Sequence, residues 1–242
     1  MDLSFCTFNL WNTERWSERQ PAFTDFLRRH RPDVLVIQEV HRSHLEAIAR
    51  TRSAYHCISD PFPGFMQEGN IVYNSDRLTM LEHGALDVGL SGYRRLFWAL
   101  LREQDGTDWL IATAHFTYQA LPPERESGQS PRLDQARRTA AALTELLARH
   151  GESALIFGAD LNDFLNPVRL LREAGFEDVY SALGRSPLFT WPVPGMDHGA
   201  PEVDDWIFFR GARPLTIDRV EFYRNGVAPS DHFALLSVFR RD

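Results

Sequence analysis

In six short stretches of this chain a side chain able to do chemistry stands at one end of an apolar run. They are Asn9 in "CTFNLWN", Glu39 in "VLVIQEV", His115 in "IATAHF", Asp160 and Asn162 in "IFGADLND", Asp204 and Asp205 in "VDDWIFF", and Asp231 and His232 in "PSDHF". Glu, Asp and Asn oxygens suit a hard divalent cation that keeps several waters and few protein ligands, and Glu39 and Asp231 are the first candidates to hold one. An Asp set against a His fixes its tautomer and stabilises the imidazolium, which makes His232 a candidate proton-transfer group near neutral pH. Asp160 offers a carboxylate to orient water, and Asn162 an amide to hold a non-bridging phosphate oxygen. These are the parts of phosphoester hydrolysis, where attack on an anionic centre needs positive charge on its oxygens and an aligned nucleophile. Taken singly, each residue is more often a turn former, a cap or a satisfied hydrogen-bonding group. The collection carries the argument. Zinc is disfavoured, because His30, His41, His44, His56, His83 and His150 show no metal spacing.

For these residues to meet, several strand ends must converge on one rim. Strand-like segments cover residues 3–10, 33–40, 70–74, 96–103, 109–116, 154–161, 205–210 and 233–239, several of them apolar throughout, as strands covered on both faces should be. Between them lies a clear helical signal over 131–150, where Leu133, Ala136, Ala140, Leu143 and Leu147 form one face. Ser130 and Pro131 read as N-cap and first turn, and Gly151 as the stop. Residues 21–31 and 167–174 read as further helices. Paired sheets with helices outside are expected. Two loops, 121–130 and 192–202, are rich in turn formers and long enough to shape a substrate site.

The 242 residues show no linker, repeat or composition shift, so one domain over 1–242 is expected. All 26 basic residues are Arg, and the absence of Lys excludes a P-loop lysine, a Schiff base and a lysine general base. A net charge of −7 argues against a broad basic surface for duplex nucleic acid. Cys6 and Cys57 have no spacing that suggests a metal site or redox pair. No apolar run approaches the length of a membrane span, and a cytoplasmic monomer is expected.

The order "TFNLWN", "QEV", "TAHF", "GADLND", "VDDWIFF" and "PSDHFAL", reaching from residue 7 to 236, resembles the endonuclease/exonuclease/phosphatase superfamily with its deoxyribonuclease-I-like fold. The resemblance implies a four-layer α/β/β/α sandwich of two packed mixed sheets flanked by helices, with the site at one edge. It implies that Glu39 and Asp231 bind Mg²⁺, with Mn²⁺ as a possible substitute, and that Asn9 helps position metal and phosphate. His115 would contact or protonate the phosphate side, Asp160 would activate the water, and Asn162 would hold the scissile phosphate. Asp205 would pair with His232, although the doubled carboxylate leaves Asp204 as an alternative partner. Arg95 in "YRRLFWALL" matches a phosphate-facing Arg of some relatives, with Arg94 competing and a surface ion pair as the plain alternative. Trp11, Tyr118 and Trp191 are candidates to wall the cleft or to pack in the core. The lack of Lys and the acidic balance point away from abasic-site repair and toward single-stranded nucleic acid or nucleotides. A phospholipid or sugar phosphate is the alternative substrate, and an inactive binding module the remote one.

Overall fold

The computed structural model describes residues 2–119, 121–151 and 153–241, so residues 1, 120, 152 and 242 of the expected 1–242 unit lie outside it. The strands are β1 (Leu3–Asn9), β2 (Val34–Gln38), β3 (Tyr55–Cys57), β4 (Gly69–Asn74), β5 (Leu78–Leu86), β6 (Leu96–Glu103), β7 (Asp108–His115), β8 (Ala154–Asp160), β9 (Glu177–Asp178), β10 (Asp205–Arg210), β11 (Arg213–Val220) and β12 (Ala234–Arg240). The helices are α1 (Trp16–His30), α2 (Arg42–Thr51), α3 (Gly64–Gln67), α4 (Pro122–Ser127), α5 (Arg132–His150), α6 (Asn166–Glu173) and α7 (Val179–Ala182). One mixed sheet has the order β11-β12-β1-β2-β4-β3 and the other β5-β6-β7-β8-β10-β9. They pack face to face between helices, which is the expected four-layer arrangement.

Strand alternation sorts the layers. Leu3 and Phe5 of β1, with Val34 and Val36 of β2, face the second sheet, whereas Cys6, Phe8, Leu35 and Ile37 face Phe23, Phe26 and Leu27 of α1 and Ile48 of α2. On the far side, Ala136, Ala140 and Leu143 of α5 and Val168 and Leu171 of α6 cover the second sheet. The sheets approach closely where β8 carries Gly158: a Cβ there would lie 2.8 Å from the Phe5 ring and from the Thr7 Cβ. Beside this contact the Gln38 amide donates to Thr7 Oγ1 at 3.0 Å and to Thr113 Oγ1 at 2.8 Å, tying the two sheets together through buried polar groups.

Two residues further along each strand the same inward face delivers Asn9, His115 and Asp160 to one edge. Parallel pairing of β1 with β2 and of β7 with β8 brings their C-terminal ends to that edge. Antiparallel pairing brings the starts of β10 and β12 there, with Asp205 opposite Asp160.

Several elements differ from the sequence reading. The helix expected over 21–31 begins earlier, at Trp16, so that Pro21 lies inside α1. Ser130 does not cap α5: its hydroxyl has no partner, and Pro131 occupies the cap position. The 121–130 loop contains α4. Among the described residues no helix is long and apolar enough to cross a membrane.

Candidate active site

Eight expected residues meet at a cleft of about 370 Å³. Glu39, His115, Asp160, Asn162, Asp231 and His232 line it, Asn9 reaches Asp160 from below, and Asp205 backs His232. Asp204, Arg94, Trp11, Tyr118 and Trp191 also line it, with Asn12, Glu14 and Asp197.

Local backbone geometry aims several of these groups. Trp11, Asn12, Glu39 and Asn162 hold φ values of 53°, 44°, 51° and 49°, a left-handed region that costs a non-glycine residue about 1 kcal/mol or more. At Glu39 the turn breaks strand alternation one residue past β2, so its carboxylate faces the cleft. At Asn162 the turn lets the backbone N–H donate to Asp160 Oδ1 at 2.9 Å, while the side-chain amide donates to Phe116 O at 3.1 Å. Asn162 is thereby fixed before any substrate arrives.

Asp205 is the partner of His232, at 2.8 Å between Oδ2 and Nδ1. Asp204, adjacent in an extended strand, turns into the cleft instead, which resolves the alternative left by the doubled carboxylate. Burial opposes a charge on His232, but the carboxylates of Asp205, Asp231 and Asp160 outweigh it and hold the imidazole well above its ordinary pKa. Its free Nε2 lies 4.0 Å from Asp160 Oδ2. His115 is the reverse case: burial, then Arg94 and His232, keep it well below its ordinary value and hence neutral, with Nε2 3.5 Å from Asp160 Oδ2.

The carboxylates are crowded. Burial and then Asp205 push Asp160 up to about 7, burial and then Asp160 push Asp204 up to about 8, and burial raises Asp231. Asp205 Oδ1 is buried without a partner. A buried excess of hard oxygen donors with so little compensating positive charge fits a divalent cation, which the chemistry of Glu39 and Asp231 can hold. Asp160, Asp205 and His232 also place donor atoms within 4.8 Å of one another, but Asp205 and His232 are already joined.

Two expectations need correction. Trp11 N donates to Asn9 Oδ1 at 2.9 Å, which fixes the amide so that its NH₂ faces Asp160 Oδ2 at 2.8 Å and Glu39 Oε1 at 3.4 Å. Asn9 therefore presents amide hydrogens, not an oxygen ligand, to Asp160 and Glu39. Arg95 faces away: it donates to Gly92 O and Arg94 O and lies over the Phe62 ring at 5.2 Å. Arg94 lines the cleft instead, held by Glu68 at 3.2 Å, because successive residues entering β6 point to opposite sides.

Supporting groups escaped the sequence reading. Ser230 Oγ donates to Asn9 O at 2.7 Å, joining the β12 approach to β1. Thr190 Oγ1 accepts from the backbone of both Asp204 and Asp205 at 3.1 Å. Trp191, already a candidate for the cleft wall, donates from Nε1 to Asp231 Oδ2 at 3.1 Å. Arg19 is completely buried in α1, and its one sequence signal is its place on that helix's apolar stripe with Phe23 and Phe26.

The model of the Endonuclease/Exonuclease/phosphatase family matches residues 6–232. Three solved structures share the architecture. An endonuclease/exonuclease/phosphatase from Bacteroides vulgatus is 16% identical with a TM-score of 0.82, each chain covered over 100%. The mannosyl-6-phosphatase Bt3783 of Bacteroides thetaiotaomicron VPI-5482 is 18% identical with a TM-score of 0.79, over 98% of this chain and 99% of that one. D. rerio TDP2 complexed with single strand DNA product is 19% identical with a TM-score of 0.75, over 99% of both chains. A search of curated proteins returned no match. Fold and sequence together define a hydrolase of phosphoesters. The chain belongs to the Endonuclease/Exonuclease/phosphatase family.

Proposed function

We propose that this chain is a Mg²⁺-dependent phosphodiesterase that cleaves single-stranded nucleic acid or nucleotides by in-line attack of an activated water. The observation that carries the reading is the convergence of Glu39, Asp160, Asn162, Asp231 and His232 on one cleft from three separate stretches of chain. Glu39 and Asp231 would hold the cation, with Mn²⁺ as a substitute; when bound, it draws charge from the phosphate oxygens. Asp160, pushed up to about 7 and oriented by Asn9 and the Asn162 backbone, is matched to accept the proton of the attacking water near neutral pH. His232, kept cationic by Asp205, places its Nε2–H toward the charge that develops on phosphorus-bound oxygen. Neutral His115 and the second hydrogen of the Asn162 amide are further contacts for the phosphate. Arg94 stands at the cleft wall as the cation for a phosphate oxygen.

The preference for single-stranded substrates rests on the walls. Trp11 and Tyr118 line the cleft, Tyr118 is 53% exposed, and an aromatic face beside a phosphate site can stack a splayed base. A cleft of about 370 Å³ is large enough to take a nucleotide. The likeness to a mannosyl-6-phosphatase supports a second reading, hydrolysis of a sugar phosphate.

A substrate panel separates the readings: single-stranded DNA, RNA, abasic duplex, mannose 6-phosphate, phosphoinositides and sphingomyelin, each with Mg²⁺ at several salt concentrations. Fastest cleavage of a single-stranded nucleic acid, weakening as salt rises, is the expected result. Preference for the sugar phosphate with no salt dependence would transfer the conclusion to the second reading.

A further inference from the structure

A guanidinium with no solvent exposure and no carboxylate in contact demands a reason, because burying a charge is costly unless it is fully hydrogen-bonded. Arg19 is that group. It donates to five carbonyls: Leu10 at 3.0 Å, Trp11 at 3.2 Å, Asn12 at 3.1 Å, Glu14 at 2.6 Å and Pro229 at 2.6 Å. Its guanidinium lies 5.1 Å from the Trp11 ring centroid and 5.5 Å from that of Trp16. Four of these carbonyls belong to the turn between β1 and α1; the fifth precedes Ser230 and Asp231 by one and two residues. A single side chain thus grips the two loops that bring Asn9 and Asp231 to the cleft.

The grip has a specific consequence. Trp11 and Asn12 both sit at positive φ, and this strained turn aims Trp11 N–H at Asn9 Oδ1. That bond decides which end of the Asn9 amide faces Asp160 and Glu39. Arg19 holds the carbonyls of both strained residues and so keeps the turn in this form. On the other side its bond to Pro229 O, together with Ser230 Oγ on Asn9 O, fixes the chain just ahead of Asp231. We infer that Arg19 is a positioning residue of the cation site, acting on Glu39 and Asp160 through the Trp11 to Asn9 link and on Asp231 through Pro229. The inference rests on the reading that Glu39 and Asp231 bind a divalent cation.

Only a planar donor array can serve five carbonyls; a lysine ammonium has three hydrogens in a compact cluster and cannot span them. Arg19→Lys therefore keeps the charge and loses the array. A double-mutant cycle read by Mn²⁺ titration calorimetry tests the link directly. Arg19→Lys and Asn9→Ala should each weaken Mn²⁺ binding about tenfold, as loss of a group that orients metal ligands does. The double variant should bind clearly more tightly than the roughly hundredfold loss expected of independent effects, because the Asn9 arm can be lost only once and only the Pro229 arm is left for Arg19→Lys to remove. Independent effects that multiply to about a hundredfold, or a folded Arg19→Lys protein with unchanged Mn²⁺ affinity, would overturn the inference while leaving the cation reading intact. A wild-type protein that binds no Mn²⁺ overturns both. Where Arg19→Lys does not fold, Asn12→Ala strains the same turn from its exposed side and enters the same cycle with the same expected non-additivity.

Discussion

At the scale of single residues, the site separates two histidines by their surroundings. His232 carries its charge because Asp205 and Asp231 face it, whereas His115, equally buried but facing Arg94, stays neutral. Asp205→Asn keeps the shape and removes the charge that supports the imidazolium. Turnover should fall at least about a hundredfold with KM nearly unchanged, measured as kcat and KM on one aryl phosphodiester. Most of these residues were legible in sequence because each stands at one end of an apolar run. Arg95 was misassigned because two adjacent arginines cannot be told apart until strand β6 sets which faces inward. Ser230, Thr190 and Arg19 act through backbone atoms of distant segments, and nothing in a linear pattern records such a contact. His44 offers a test of burial. It is inaccessible to solvent, packed against Trp16, and pushed down to about 3 by burial and then by Arg19. Below its ordinary value of 6.5 the unfolded chain takes up a proton that the fold refuses, so this contribution to stability is present at neutral pH and is lost as pH falls toward 3. Wild type should lose about 1.4 kcal/mol per pH unit relative to His44→Gln below about pH 6, measured by urea unfolding of both proteins at pH 7.5, 5.5 and 4.5.

At the scale of elements, the close passage of β1 over β8 sets the geometry of the site. Gly158 allows Phe5 and Thr7 to sit against β8, and Asn9 and Asp160 each lie two residues beyond this contact. Gly158→Ala should cost about 1–3 kcal/mol in urea unfolding and lower activity in the fraction still folded, because prying the strands apart lengthens the Asn9 to Asp160 bond. The central strands were readable because both of their faces are covered and their sequences are apolar throughout. The edge strands β5 and β11 were not: few of their residues are fully buried, and each carries an irregularity, between Met80 and Glu82 and between Pro214 and Thr216, that breaks the alternation. The short strands β3 and β9 take their form from pairing with β4 and β10 rather than from any local pattern. Helix α1 was clipped at its start: Pro21, a residue type that favours a first turn, lies inside it.

At the scale of the whole molecule, two sheets deliver one edge of acidic side chains on a chain of net charge −7, and the fold carries that repulsion in its interior. A cation that binds the folded site and not the unfolded chain should recover part of the cost. Saturating Mg²⁺ should raise the melting temperature by several degrees, and Glu39→Gln with Asp231→Asn should abolish the shift, read by calorimetry in chelated and Mg²⁺-loaded samples. The most direct trial of phosphoester hydrolysis at this cleft is the rate on an aryl phosphodiester after chelation and again after Mg²⁺ is restored, for wild type and Asp160→Asn side by side. The account predicts that wild-type turnover vanishes on chelation and returns with Mg²⁺, and that Asp160→Asn stays at least about a thousandfold slower than wild type once Mg²⁺ is restored. Turnover indifferent to chelation, or equal in the two proteins, would contradict it.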